Sequence, residues 1–140
     1  MSSQTVLVLE DDASSRFVLN ELLERGGFKV LFSSSVNEAI HLCRTHPNEI
    51  ELLIADVVLR GDGGPEGVRA LKLLQPDMAI LFISGYPLEL LEHRGLLEKV
   101  NRPDERTDFL QKPFTAQALL NAVRRLIGKP EEPQPRAPWI

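Results

Sequence analysis

The chain has a single cysteine, Cys43, which excludes an internal disulfide and a cysteine-based zinc site. Cys43 falls in a helical pattern, where a buried structural thiol is expected rather than a nucleophile. A basic excess is also missing. The formal net charge is -4, which argues against direct nucleic-acid binding, because that needs a basic footprint. No apolar run is long enough to span a bilayer, and no N-terminal segment has the layout of a signal peptide. A cytoplasmic protein without membrane contact is therefore expected. Internal repeats and linkers are absent, and His41, His46 and His93 share no ligand spacing, so surface or helix-end roles are expected for them.

What is present suits one ordinary folded domain. The chain has 140 residues, 43% of them hydrophobic and 26% charged, enough to bury a real core. The pattern reads as strand and helix in strict alternation. Thr5–Leu9 is a strand that ends in the acids Glu10-Asp11-Asp12. A helix follows over Ala13–Arg25, with Phe17, Val18, Leu22 and Leu23 at helical spacing and Gly26-Gly27 as its stop. Phe28–Phe32 is a second strand. Ser35 caps a helix from Val36 to about Arg44, with Glu38 at capping-box spacing and Ala39, Ile40 and Cys43 turned inward.

The central stretch is Ile50-Glu51-Leu52-Leu53-Ile54-Ala55-Asp56, a strand apolar on both faces that stops on one carboxylate. A glycine-rich loop over residues 57–65 leads to a helix over Glu66–Leu74, with Asp62 read as a solvent-facing acid. Met78–Ile83 is another doubly buried strand and runs into Ser84-Gly85-Tyr86-Pro87. Leu88–Leu97 is a short amphipathic helix, and residues 98–106 form a connector. Thr107–Leu110 is a brief strand near an edge, followed by Gln111-Lys112-Pro113-Phe114. The last helix follows the cap Thr115 and ends at Ile127, with Arg124 and Arg125 read as its solvated face. Residues 1–128 thus read as one domain, and 129–140 as a flexible proline-rich tail in which Trp139-Ile140 could dock. Alternating strands and helices with right-handed crossovers give an α/β fold: a doubly wound, flavodoxin-like parallel sheet of five strands with helices on both faces.

Parallel strands share their carboxyl ends, so Glu10, Asp11, Asp56, Ser84 and Lys112 come to one edge of the sheet. That edge is where open α/β sheets bind ligands. Several carboxylates together repel one another and invite a hard divalent cation, Mg²⁺ beside a phosphate. The cation would let Asp56 act as a nucleophile toward a phosphoryl group. Ser84 could donate to a phosphoryl oxygen, Lys112 could neutralise another, and Gly85 leaves room for the donor. The bland alternative makes Asp56 a capping or loop carboxylate.

On these residues the chain, over about positions 4 to 128, resembles the two-component response-regulator receiver domain. The motifs are Val8-Leu9-Glu10-Asp11-Asp12, Asp56 at the third strand's end, Ile83-Ser84-Gly85-Tyr86-Pro87, and Phe109-Leu110-Gln111-Lys112-Pro113-Phe114. The wording around Asp56-Val57-Val58-Leu59 and Ser84-Gly85-Tyr86-Pro87 is similar to receivers of hybrid sensor histidine kinases. The resemblance implies that Asp56 accepts phosphate from a histidine kinase or histidine phosphotransfer protein. It also implies that Glu10, Asp11, Asp56 and the Val58 backbone carbonyl organise Mg²⁺, with Glu10, in place of the usual aspartate, reaching the metal through water. It implies a switch pair of Ser84 and Phe109, a Lys112–phosphate contact, and a cis bond before Pro113. Phe109 lacks a hydroxyl, so contacts there would be apolar.

Output through a downstream protein target is expected, because residues 129–140 are too few to fold alone. A stand-alone regulator, a relay and a receiver cut from a larger kinase all fit. The face from the fourth strand to the last helix is the expected partner or homodimer surface. No independent substrate turnover is expected. Two other readings are weaker. An aspartate-nucleophile phosphatase of haloacid-dehalogenase type wants a second aspartate where Val58 stands, and a docking module without phosphorylation would not need both Asp56 and Lys112.

Overall fold

The computed structural model describes residues 4–57, 64–93 and 106–128. Ten elements alternate along it: β1 Thr5–Leu9, α1 Ala13–Arg25, β2 Lys29–Ser33, α2 Val36–Thr45, β3 Ile50–Asp56, α3 Gly64–Leu74, β4 Ala79–Ser84, α4 Leu88–His93, β5 Thr107–Gln111 and α5 Ala116–Ile127. The strands form one parallel sheet in the order β2-β1-β3-β4-β5. The fifth strand is thus at an edge, as its weak apolar signal suggests.

Alternation along each strand builds two cores. Leu7, Leu9, Leu53, Ala55, Ile80 and Phe82 face α2, α3 and α4, meeting Ala39, Cys43, Val68, Leu71 and Leu91. Val6, Val8, Leu52, Ile54, Leu81 and Ile83 face α1 and α5, meeting Leu19, Leu23, Leu119, Ala122 and Val123. Burying both faces is what makes the central strands continuous apolar runs. Only Glu51 breaks the run in β3, at the irregularity where Thr5 pairs Ile50 but Val6 pairs Leu52.

The element ends have local causes. Asp12 caps α1 by accepting from the Ser15 N–H at 2.9 Å. Phe28 donates its N–H to Leu23 O, so it belongs to the turn, and β2 starts one residue later than the apolar run does. Ser35 caps α2, while Glu38 accepts from the N–H and hydroxyl of Ser34, one residue before the expected capping-box partner. α3 begins at Gly64, two residues ahead of the expected Glu66, because Pro65 suits a first helical turn.

Spacing marks α1 as helical but does not say which of its apolar residues are covered. Phe17 is 65% exposed and Val18 51%, whereas Leu19 and Leu23 are buried. Apolar residues occupy more of this helix than the sheet can cover, and the covered stripe is the one holding Leu19 and Leu23. Arg125, expected on a solvated face, reaches Asp108 on β5 at 2.7 Å. The loop with Val58 and Asp62, the end of α4 beyond His93, the connector up to residue 105 and the tail with Trp139-Ile140 lie outside the described residues.

Candidate functional site

The chain runs outward from β1 to β2, then returns to place β3 on the other side of β1. The reversal opens a crevice at the carboxyl ends of β1 and β3, the usual ligand position in such sheets. Glu10 follows β1, and Asp56 is the last residue of β3. The Val57 N–H donates to Ile83 O at 3.0 Å, which continues the β3–β4 ladder past Asp56 and fixes its backbone.

Lys112 joins the two acids. Its Nζ donates to Glu10 Oε1 at 2.7 Å and to Asp56 Oδ2 at 3.1 Å. The Lys112 N–H donates to Ser84 O at 2.7 Å, so the segment after β5 is tied to the end of β4. The Lys112–Pro113 bond is cis.

Burial sets the electrostatics. Glu10 is buried, and loss of water pushes its carboxyl above the usual glutamate range. The hydrogen bonds from Lys112 and the Asp12 N–H oppose that rise, and the neighbouring Asp56 charge adds to it. For Lys112, burial works downward, but the hydrogen bonds to Glu10 and Asp56 outweigh it and raise the ammonium pKa. Lys112 is therefore a fixed positive charge at neutral pH. Asp12 is the exposed cap of α1, and the Ser15 backbone N–H holds its carboxyl below the usual range.

Ser84 is fully buried at the end of β4, and its Oγ accepts from the Tyr86 N–H at 3.0 Å. Phe109, on β5 beside Phe82, is half-buried against the core under α2, α3 and α4. Its N–H donates to Asp108 Oδ1 at 2.8 Å. Cys43 is buried in the core under α2, where burial pushes its thiol up to about 11. That is the behaviour of a structural thiol.

Among the described residues, no three carboxylate, imidazole or thiol groups converge as a ready metal centre. The Lys112 ammonium lies between Glu10 and Asp56 instead. The donor chemistry still suits a hard cation, because Glu10 and Asp56 share one lysine and Asp11 follows Glu10 at the same strand end. Val58, the expected backbone ligand, lies outside the described residues.

Beside Lys112 a groove of about 580 Å³ is lined by Ser14, Val18, Leu19, Gly85, Pro113 and Phe114, among others. Its walls are mainly apolar, with Lys112 at one margin. Sequence reading missed this groove, because its lining comes from α1, Gly85 and the Lys112–Phe114 segment, which are far apart along the chain. A second concavity, of about 460 Å³, lies at the opposite end of the sheet near Gln4, Glu51, Asp77 and Arg106 and takes no part in this site.

Residues 6–124 match the response regulator receiver domain family. The sensor kinase CckA of Brucella abortus (strain 2308) is 30% identical over 128 residues, which cover 91% of this chain and 13% of that kinase. The chain spans about a quarter or less of the length of several such curated relatives. A response regulator receiver protein from Sinorhizobium medicae WSM419 superposes with a TM-score of 0.74 at 26% identity, covering 90% of this chain and 95% of that one. The receiver domain of the sensor histidine kinase PA1611 from Pseudomonas aeruginosa PAO1, which has magnesium coordinated in its active-site cleft, shares the fold. It does so with a TM-score of 0.75 at 20% identity, over 91% of this chain and all (100%) of that one. With the acids, hydroxyl and lysine at the ends of β1, β3, β4 and β5, and with 119 consecutive residues matching (6 to 124), this chain belongs to the response regulator receiver domains, the phosphoacceptor modules of two-component phosphorelays rather than enzymes of independent turnover.

Proposed function

We propose that Asp56 is the phosphoacceptor and that a histidine kinase or histidine phosphotransfer protein is the donor. The observation that carries this reading is Lys112 Nζ, 3.1 Å from Asp56 Oδ2 and 2.7 Å from Glu10 Oε1 at the switch point of the sheet. In the transfer, an N–P bond of a phosphohistidine breaks and an O–P bond forms at the Asp56 carboxylate. The imidazole nitrogen leaves with the electron pair of the broken bond. Lys112 meets the added negative charge as a point charge. Ser84, turning from the Tyr86 N–H, donates its hydroxyl proton to a phosphoryl oxygen, and Phe109 follows as the second half of the switch.

Asp11 and Asp56 would hold Mg²⁺, with the Val58 carbonyl as a further ligand and Glu10 reaching it through water. When bound, the cation offsets the carboxylates' charge against the incoming phosphoryl group. The magnesium in the cleft of the PA1611 receiver supports that assignment. The exposed Phe17 and Val18, with the apolar groove beside Lys112, suit a helical face of the donor.

Signalling output then runs through contacts with a downstream protein, on the face from β4 to α5, which is also the candidate homodimer surface. We take residues 1–128 as the receiver and 129–140 as a tail. The net charge of -4 disfavours a direct role on nucleic acid. Among the described residues no helix is long and apolar enough to cross a membrane.

The test is intact mass after incubation with acetyl phosphate and Mg²⁺, for wild type and Asp56→Asn. A Mg²⁺-dependent gain of one phosphoryl group in the wild type alone is the expected result. Labelling that persists in Asp56→Asn would overturn the assignment of the acceptor. A wild type that stays unlabelled by both acetyl phosphate and a phosphorylated histidine phosphotransfer protein would overturn the function itself.

A further inference from the structure

Glu10 has every polar atom engaged by the protein. Its N–H donates to Ser33 O at 3.1 Å, and its carbonyl accepts from Arg16 Nη1 at 2.9 Å. Oε1 accepts from Lys112 Nζ at 2.7 Å, and Oε2 accepts from the Asp12 N–H at 3.3 Å. The Ser33 hydroxyl in turn donates to Val8 O at 2.7 Å, which ties this end of β1 to β2. The Glu10 side chain is only 1% exposed, and its bond to Lys112 is shorter than the 3.1 Å bond from Lys112 to Asp56.

A glutamate is one methylene longer than an aspartate. Here that length carries the carboxylate to the lysine, while the Asp12 N–H holds the second oxygen in place. An ammonium has three hydrogens. One is directed to Glu10 and one to Asp56. The third can then meet an oxygen of the arriving phosphoryl group, with the long and flexible lysine stem already immobilised.

We propose that Glu10 is a positioning residue for Lys112, holding its ammonium beside the Asp56 carboxylate, and that direct metal ligation falls to Asp11 and Asp56. The proposal rests on the reading of Asp56 as phosphoacceptor. A buried anchor of this kind lowers the cost of ordering Lys112 at the moment of transfer. It acts through the lysine, so its loss lowers the rate even with metal saturating, beyond any change in affinity from the water-mediated contact.

Three measurements on the full chain test it. The first follows the ¹⁵Nζ ammonium resonance of Lys112 in the wild type without any phosphodonor. A protected ammonium signal that persists when Mg²⁺ saturates supports the anchor. Its loss on Mg²⁺ binding overturns it, because Glu10 would then have left the lysine for the metal. This arm does not depend on whether the protein is phosphorylated, so its failure is distinct from failure of labelling.

The second compares wild type and Glu10→Gln for Mg²⁺ affinity, by titration calorimetry, and for labelling rate with acetyl phosphate at saturating Mg²⁺. The anchor predicts a rate that stays lower by ~10-fold at saturating Mg²⁺, whatever the change in the dissociation constant. A rate restored to that of the wild type at high Mg²⁺ would confine Glu10 to metal binding and overturn the proposal. An unchanged rate would overturn it equally.

The third adds Glu10→Gln to Lys112→Met. Residues acting as a unit are non-additive, so the double variant should be no slower than Lys112→Met alone. Additive losses would overturn the pairing.

Discussion

Gly67 of α3 faces Val36 of α2 so closely that a Cβ built on the glycine would lie 2.5 Å from Val36 Cγ2. Val36 is β-branched and opens a helix, so its rotamer has little freedom to give way. Gly67→Ala should therefore destabilise the fold by about 1–3 kcal/mol through overpacking, despite the better helix propensity of alanine. At Gly26 the corresponding contact is 2.6 Å, but to Leu120 Cδ2, the far end of a flexible side chain. Gly26→Ala should cost less than Gly67→Ala. Urea midpoints at unchanged slope decide the comparison. A larger loss at Gly26 would show that α2 and α3 shift apart at little cost.

Gln75 closes the end of α2 from a distance. Buried after α3, its Nε2 donates to Cys43 O and to His46 O, each at 3.0 Å. Both carbonyls belong to the last turn of α2 and its cap, where helices leave acceptors unmet. Gln75→Leu should cost about 1–3 kcal/mol, because Cys43 O loses this donor away from full solvent while His46 O keeps the Glu49 N–H. The labelling rate of Asp56 should be unchanged, since the site lies at the other end of the sheet. Chemical denaturation and labelling on the same variant test both halves.

The cap of α2 gives a pH dependence. Glu38 accepts from the Ser34 hydroxyl and backbone N–H, and these hold its carboxyl below its ordinary value of 4.5. A carboxyl held down in the folded state stabilises the fold above its unfolded pKa, and the contribution disappears as pH falls through the folded value. Wild type should thus exceed Glu38→Gln by a few tenths of a kcal/mol at neutral pH, the pair being exposed. The difference should vanish in acid, from pH 4.5 downward. Thermal melts of both proteins between pH 3 and 7 measure it. A gap that widens in acid would contradict the assignment.

The strands were the most legible part of the chain. Leu52–Ala55 and Ala79–Ile83 are apolar on both faces because both faces are covered, and continuous apolar runs carry that information directly. The acids, Ser84 and Lys112 were legible for a related reason: strand direction alone gathers them at one edge. What the sequence could not carry was orientation within that edge. That Lys112 contacts Glu10, 102 positions away, with a shorter bond than it makes to Asp56 depends on side-chain length and local backbone. Which side of α1 is covered was not legible, because Phe17 and Val18 are as apolar as Leu19 and Leu23 and spacing alone does not say which stripe meets the sheet. Gln75 gave no signal, since a glutamine before a proline at a helix end is unremarkable until its partners are known.

The hydrogen bond from the Tyr86 N–H to Ser84 Oγ makes that amide a reporter. Tyr86 is the chain's one tyrosine and is half exposed, while its N–H is held in this part-buried bond. Rotation of the hydroxyl toward Asp56 takes the acceptor away. The amide proton of Tyr86 should then exchange with deuterated solvent faster in the phosphorylated protein, a local opening readable without any partner present.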